Sequence, residues 1–219
     1  MKLARVAPGE VRIIGGHWKR SKLAVPHSPG LRPTPDRVRE TLFNWLGQDL
    51  SGWRCIDAFA GSGALGFEAA SRGATEVLLV EQDPALADGL RKNAERLQAS
   101  LAGGPLPLVV RRGDAVAVLA SLATGASARP WDAVFLDPPF GADAGNDALV
   151  VRALTAALPL LGPEGVVYLE APRAWTNDGL QPLGLQVKRS GKAGAVHYHL
   201  LERLHQPHQP HQPHHPPGG

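Results

Sequence analysis

Residues 57–68 read DAFAGSGALGFE, and this stretch decides the fold. Gly61, Gly63 and Gly66 follow a short apolar run, in a spacing typical of a turn between a β-strand and an α-helix. Glycine suits such a turn because it lets the backbone bend tightly and approach a ligand closely. The same Gly-x-Gly-x-x-Gly spacing also satisfies the dinucleotide-binding fingerprint. The glycines therefore predict a strand, a turn and a helix beside a ligand. They do not identify that ligand.

Apolar strand-like runs and helix-like stretches alternate along the chain from residue 54. Five such repeats predict a parallel sheet with helices on both faces, because parallel strands need crossover connections. The last two runs, at 185–189 and 196–201, are joined by a turn too short for a crossover and predict an antiparallel hairpin. We therefore expect an α/β, Rossmann-like, mostly parallel seven-stranded sheet. Its ligand site should lie at the carboxyl ends of the strands.

The residues before the glycine turn are basic. Residues 1–45 carry nine Lys or Arg against three Asp or Glu, a balance of +6, whereas the whole chain sums to +3. Runs at Arg12–Gly16 and Lys22–Val25 predict a small β-hairpin, and Thr34 and Pro35 predict the N-cap and the first residue of a helix. Segregated positive charge favours a polyanion as partner, although a solvated basic surface has the same composition.

Composition excludes several classes of protein. Of the 219 residues, 43% are hydrophobic and 20% charged, which is too apolar for a disordered chain. No stretch has the roughly 20 apolar residues of a membrane span, and the first residues lack a signal peptide's apolar block, so we expect a cytoplasmic protein. Cys55, the single cysteine, should be a reduced, buried thiol. We expect a basic arm at 1–33, an α/β domain at 34–204 and a disordered His/Gln/Pro tail at 205–219 without a fixed metal site.

Acidic residues follow three of the predicted strands, namely Asp57, Glu81 and Asp114. A carboxylate directly before the glycine turn is unfavourable beside a pyrophosphate and favourable beside an ammonium group. S-adenosylmethionine carries an ammonium group and a sulfonium and no phosphate, so these acids favour it over a nicotinamide dinucleotide. Glu81 could hold a ribose in either cofactor. Asp114 could meet an adenine amino group or could cap a helix.

Asp137-Pro138-Pro139-Phe140 directly follows the fourth predicted strand. The prolines stiffen the backbone and leave carbonyls without neighbouring N–H donors, so Asp137 and the Pro138 carbonyl form a fixed pair of acceptors. Such a pair can accept both hydrogens of an exocyclic aromatic amine and favour a tetrahedral, nucleophilic nitrogen, while Phe140 stacks on the base. A plain turn has the same composition, but the position after the fourth strand favours the amine site.

With these motifs the sequence resembles the class I S-adenosylmethionine-dependent methyltransferases and, within them, the RsmD-type enzymes that methylate guanine N2 in bacterial 16S ribosomal RNA. The resemblance runs from Arg12 to Arg203. Its most specific parts are RIIGG at 12–16, GLRPT at 30–34, DRVRETLFNW at 36–45, the glycine turn and LDPPF at 136–140.

The resemblance implies S-adenosylmethionine as cofactor and 16S ribosomal RNA or the small ribosomal subunit as partner, for a monomer that needs no metal and no membrane. The implied cofactor-binding residues are Asp57, Phe59, Gly61, Ser62, Gly63, Glu81 and Asp114. The implied catalytic residues, at the target guanine, are Asp137, Pro138, Pro139 and Phe140. We expect RNA phosphates to be bound by Arg12, Lys19, Arg20, Lys22 and Arg32.

Three other functions are compatible with parts of this pattern. A nicotinamide-dependent oxidoreductase would use the glycine turn and Glu81. A methyltransferase acting on DNA adenine or on a protein glutamine would also use an acceptor followed by Pro-Pro and an aromatic residue, typically with Asn in place of Asp137, and both side chains can accept a hydrogen bond. A non-catalytic ribosome-assembly factor could retain the same fold.

Overall fold

A computed structural model describes residues 9–26, 28, 34–99, 108–125, 129–139 and 145–204. The predictions made for Arg32, for Phe140 and for the tail at 205–219 lie outside these residues. The strands of the described part are β1 (Gly9–Arg12), β2 (Lys22–Val25), β3 (Arg54–Asp57), β4 (Glu76–Glu81), β5 (Leu108–Arg112), β6 (Trp131–Leu136), β7 (Leu161–Ala171), β8 (Leu185–Ala193) and β9 (Val196–Arg203). The helices are α1 (Asp36–Trp45), α2 (Ala64–Ser71), α3 (Pro84–Gln98), α4 (Ala115–Thr124), α5 (Gly145–Ala157) and α6 (Asn177–Leu180).

Seven strands form one sheet in the order β5-β4-β3-β6-β7-β9-β8. Strands β3 to β7 are parallel, and β9 is antiparallel to both β7 and β8. The predicted mostly parallel sheet with a closing hairpin is confirmed. Strand β3 lies between β4 and β6, so the strand order reverses there. In open α/β sheets this reversal opens a crevice at the carboxyl ends of the strands.

Each face of the sheet carries its own apolar core. On one face, α1, α2, α3 and the β1–β2 hairpin pack with the sheet around residues such as Phe43, Phe67 and Phe135. On the other face, α4, α5 and α6 pack around residues such as Val134 and Leu154. The helices predicted for both faces are therefore confirmed. In the described part of the chain, no helix is long and apolar enough to cross a membrane.

The first strand of the N-terminal hairpin differs from the prediction. It spans Gly9–Arg12, so the expected strand at Arg12–Gly16 is wrong beyond its first residue. Ile13 still exchanges backbone hydrogen bonds with Arg20 and Ser21, and the chain then turns at Gly16, which at φ +71° lies against the end of α2, where a Cβ atom would meet the Ser71 carbonyl oxygen at 1.9 Å. His17 N–H then donates to that carbonyl at 2.6 Å. This contact between distant segments fixes the turn that takes the place of the rest of the predicted strand.

A buried ion-pair network fastens the hairpin to α1 and α2. Glu68 on α2 and Arg39 on α1 are both fully buried and lie 3.4 Å apart, and Arg72 Nε donates to Glu68 Oε1 at 2.9 Å. The Ile14 N–H donates to Glu68 Oε2 at 2.9 Å, and Arg39 Nη2 donates to the Arg12 carbonyl at 2.8 Å. Because a buried carboxylate depends on its cationic partners, Glu68 fixes the hairpin as well as the two helices.

The second strand of the hairpin lies along α3. The Asn93 side chain accepts from the Ala24 N–H at 3.2 Å and donates to the Ala24 carbonyl at 2.9 Å, as a neighbouring strand would. The Lys22 carbonyl accepts from Arg96. At the other end of β2, the Pro26 ring covers Gly89, where a Cβ atom would be 2.9 Å away. Strand β2 therefore runs antiparallel to α3, toward the carboxyl edge of the sheet.

Replacing Glu68 by Ala should lower the free energy of unfolding by about 3–5 kcal/mol, because buried guanidinium groups lose their main acceptor. Urea denaturation followed by tryptophan fluorescence measures this change. The matched control is Glu95→Ala on the exposed face of α3, which should stay within about 0.5 kcal/mol of the parent chain. Equal stabilities for the two variants would contradict the role given to Glu68.

Candidate active site

Acidic side chains collect at the carboxyl edge of the parallel strands. Asp57 is the last residue of β3, Glu81 is the last residue of β4, and Asp137 directly follows β6. Asp114 follows β5 after one glycine, and that Gly113 donates its N–H to the Glu81 carbonyl at 3.0 Å. The fold thus brings the four acids singled out in the sequence to one edge of the sheet.

Asp57 is a buried carboxyl group at the centre of this edge. Its Oδ2 accepts the Gly66 N–H at 2.9 Å. Burial raises the pKa of Asp57 to about 7; the Gly66 hydrogen bond opposes this shift, whereas the charges of Glu81 and Glu170 add to it. Within the described residues, no cationic side chain forms an ion pair with Asp57. A buried, uncompensated carboxylate fits a positively charged ligand group and disfavours a phosphate.

The turn after β3 is held to β4 by Glu81. Gly61, at φ +51°, donates its N–H to Glu81 Oε2 at 2.8 Å, and Glu81 Oε1 accepts the Asp83 N–H at 2.8 Å. Ser62 is buried and its Oγ accepts the Ala64 N–H at 3.3 Å, whereas Phe59 is partly exposed and packs against the second core. Glu81 therefore fixes both the glycine turn and the start of the next loop.

Two of the glycines are required by packing within the protein. A Cβ atom at Gly63, where φ is +77°, would lie 2.5 Å from the Phe67 ring and 2.6 Å from Leu90. At Gly66 it would lie 2.1 Å from Leu79. At Gly66 the Cβ atom would also lie 3.2 Å from Asp57, so both glycines are fixed by side chains of the protein, and their contact with a ligand stays a prediction.

Asp114 caps a helix in the structure. It is exposed, it occupies the N-cap of α4, and its Oδ1 accepts the Ala117 N–H at 2.9 Å. The helix-capping interpretation thus describes what the side chain does in the described part of the chain. Its contact with the adenine of a cofactor stays a prediction.

The Asp137-Pro138-Pro139 segment leaves β6 at the same edge. Asp137 is half-buried, Pro138 is buried and Pro139 is exposed. Burial raises the pKa of Asp137 well above its ordinary value, and the charges of Glu170 and Asp57 raise it further. This carboxyl group therefore has an unusually high proton affinity, which suits a general base.

Thr34 contributes a hydroxyl to this site and does not cap α1. Helix α1 begins at Asp36, Pro35 occupies the N-cap position, and no side chain caps the helix. The buried Thr34 hydroxyl instead donates to Asp137 Oδ2 at 3.4 Å. The predicted N-cap is therefore wrong, because the carboxyl edge uses the hydroxyl that would have capped the helix.

Glu170 is a site residue that the sequence analysis missed. It is the penultimate residue of β7 and is only 3% exposed. Its Oε1 accepts the Tyr168 hydroxyl at 2.9 Å, and burial raises its pKa. A usable signal was present, because Glu170 is the acid that ends the apolar run Val166–Leu169, in the position that Asp57 and Asp137 occupy on their strands.

The basic residues predicted to bind RNA lie apart from this edge. Arg12, Lys19, Arg20 and Lys22 are exposed on the hairpin, and Lys22 pairs with Glu10 at 2.8 Å. The Lys22 end of β2 lies beside Arg96, twelve residues along α3 from Pro84 at the carboxyl edge, a distance of about 18 Å. A ligand that spans both regions must therefore be larger than a single nucleotide.

Comparisons with known proteins agree with this fold. The family model described as conserved hypothetical protein 95 matches residues 11–202. Ribosomal RNA small subunit methyltransferase D of Escherichia coli K12 is 41% identical over 200 residues, which cover 90% of this chain and 92% of that protein. The solved putative methyltransferase yhhF from Escherichia coli is 37% identical, with a TM-score of 0.69 over 90% of this chain and all of that chain.

A more distant structure shares the fold alone. It is the Thermus thermophilus 16S rRNA N2 G1207 methyltransferase RsmC in complex with AdoMet and guanosine, at 22% identity and a TM-score of 0.65, covering 90% of this chain and 50% of that chain. Because the family model spans most of the chain and the Escherichia coli relative matches at 41% identity, this chain belongs to the family described as conserved hypothetical protein 95.

Proposed function

We propose that this protein transfers a methyl group from S-adenosylmethionine to the exocyclic N2 of a guanine in small-subunit ribosomal RNA. The observation that carries the proposal is the placement of Asp137 and Pro138 beside Asp57, at the reversal point of a methyltransferase sheet. The name of the Escherichia coli relative supports the RNA substrate, and the guanosine complex of the distant structure supports guanine.

S-adenosylmethionine would supply an activated methyl group on a positively charged sulfur. The uncompensated negative edge fits this cationic cofactor, and it disfavours a nicotinamide dinucleotide, whose phosphates would face the Asp57 carboxylate. We assign the methionine part to Asp57, Phe59, Gly61, Ser62 and Gly63, the ribose hydroxyls to Glu81 and the adenine to Asp114. The hydrogen bonds that Glu81 accepts from the Gly61 and Asp83 N–H groups support this assignment, because they hold its carboxylate at the edge of the sheet.

Asp137 and Pro138 would hold the target amine. The Asp137 carboxylate and the Pro138 carbonyl accept the two N–H groups of N2, so the nitrogen lone pair is directed at the methyl group. Phe140 would stack on the base. Asp137 then accepts the proton that N2 loses, for which its high proton affinity is suited.

The hairpin would hold the RNA backbone outside the site. Its exposed cations at Arg12, Lys19, Arg20 and Lys22, together with Arg32, would contact phosphates, and a guanine from a single-stranded loop would be turned out of its stack into the site. The network around Glu68 keeps the hairpin at a fixed distance from Asp137.

Replacing Asp137 by Asn should lower the single-turnover rate of methyl transfer at least a hundredfold, because the amide cannot accept the amine proton. Cofactor affinity, measured by calorimetry, should change less than about tenfold. Asp178→Asn, an exposed acid on α6, is the matched control and should keep the parent rate. If the variant loses cofactor binding and not turnover, the assignment of Asp137 to the target-base site is wrong.

Affinity for S-adenosylmethionine should rise by up to about tenfold as the pH is raised from about 6 to about 8. The pKa of Asp57 is raised to about 7, so its carboxyl group is neutral below that pH and negative above it, and the negative form binds a cation more tightly. Calorimetric titration across this range measures the effect. Asp57→Asn, which can still accept the Gly66 N–H, should flatten the profile; an unchanged profile would contradict the assignment.

RNA binding should weaken steeply with salt, and replacing Arg12, Lys19 and Arg20 by Ala should reduce the slope of log affinity against log salt by about two. Filter binding to a small-subunit RNA fragment at several salt concentrations measures the slope. The matched control replaces three exposed cations elsewhere, Arg152 on α5 and Arg189 and Lys192 on β8. If both triple variants lose the same slope, the hairpin has no special part in binding.

A further inference from the structure

Glu170 and Asp137 lie next to each other on the same face of the sheet. Strands β6 and β7 pair in parallel with Leu136 beside Leu169, so Asp137 and Glu170 come next in register. The Tyr168 hydroxyl, two residues before Glu170 and on the same face, donates to Glu170 Oε1 at 2.9 Å. One Glu170 oxygen is thus occupied by its own strand, and the charge of Glu170 acts on Asp137 at the end of the neighbouring strand.

The Thr34 hydroxyl connects the two carboxyl groups. It donates to Asp137 Oδ2 at 3.4 Å and is within hydrogen-bonding reach of Glu170. A hydroxyl can donate one hydrogen bond while it accepts another. Thr34 can therefore link a neutral carboxyl group on one side to a carboxylate on the other.

The groups that face this pair carry no positive charge in the described part of the chain. They are Asp57 on β3, Tyr168 on β7 and Tyr198, which lies beside Glu170 on β9. No ion pair among the described residues includes Asp137 or Glu170. Burial raises the pKa of both carboxyl groups, and the charge of Glu170 raises that of Asp137 further. Two neighbouring carboxyl groups that are shielded from solvent ionise in turn.

From this geometry we propose that Glu170 is a positioning residue that acts through Thr34 to share one proton with Asp137, so that the pair carries a single negative charge. The idea rests on the proposed function, because it concerns the group that receives the proton of the methylated amine.

The shared proton leaves one negative charge on the pair, and this charge is the base. When the bond from N2 to the methyl carbon forms, the electrons of the breaking carbon–sulfur bond stay on sulfur, and the nitrogen has one proton too many. The singly charged pair accepts this proton at Asp137 and becomes neutral, while Thr34 and Tyr168 keep Glu170 hydrogen-bonded. The pair then returns one proton to solvent before the next turnover.

The first test is the pH profile of single-turnover methyl transfer to RNA at saturating cofactor. The pair gains its second proton at the lower of its two pKa values, and a lone carboxyl group has a pKa between the two, so in Glu170→Gln the acid limb should move to higher pH by about one unit. In Thr34→Val a hydrogen bond that lowers the pKa of Asp137 is gone, so the limb should move to higher pH. Glu170→Asp should keep the limb near its parent position, and so should Glu164→Gln, an exposed acid on the same strand.

The second test needs neither RNA nor cofactor. Urea unfolding of the parent chain and of Glu170→Gln is compared between about pH 5 and about pH 8. The folded parent pair keeps a proton that the unfolded chain has lost, so the parent should lose stability relative to Glu170→Gln as the pH rises. Glu164→Gln should follow the parent at every pH.

The two tests separate the failure of this proposal from the failure of the proposed function. A slower Glu170→Gln enzyme with an unmoved acid limb and no pH-dependent stability difference would leave Glu170 a purely structural role and overturn the shared proton. An acid limb that moves to lower pH in Glu170→Gln would also overturn it, because Glu170 would then act only as a repelling charge. If the parent chain methylates no RNA but the unfolding series behaves as expected, the paired carboxyl groups stand and the proposed reaction fails.

Discussion

The structure is organised around the burial of carboxyl groups at the carboxyl edge of a parallel sheet. Removing a carboxylate from water is costly unless hydrogen bonds or cations replace the solvent. Here the protein supplies hydrogen-bond donors: the Gly66 N–H for Asp57, the Tyr168 hydroxyl for Glu170 and the Thr34 hydroxyl for Asp137. Its buried arginines are used elsewhere, around Glu68. The edge therefore keeps a negative charge that a methyl donor with a cationic centre can neutralise.

Periodicity carried most of the information about the fold. Apolar runs separated by helical stretches predict a parallel sheet because only a crossover can join parallel strands, and the short link before β9 predicts the closing hairpin. The end of β1 was mispredicted because it depends on Gly16 meeting the last turn of α2, a contact between segments more than fifty residues apart. No local pattern contains such a contact, so the strand boundary could not be read from neighbouring residues.

The site was predictable where an acid follows an apolar run and harder to predict where one residue type has two uses. Asp57, Glu81 and Asp137 were found by their position after strands. Glu170 follows the same rule but was not singled out. Thr34 before a helix looks like an N-cap, and only the tertiary structure shows its hydroxyl on Asp137. The buried Arg39 was similarly hidden, because a single arginine on an amphipathic helix usually lies in solvent.

The hairpin is a structural part of the core as well as a basic surface. Its inward side chains, Val11, Ile13, Trp18, Leu23 and Val25, are all buried against the rest of the protein. Removing the chain before α1 would expose the apolar surface that these side chains cover. It would also leave Glu68 without the Ile14 N–H. A truncated version would be prone to aggregate, so the contribution of this segment has to be dissected by exchanging its outward side chains one at a time.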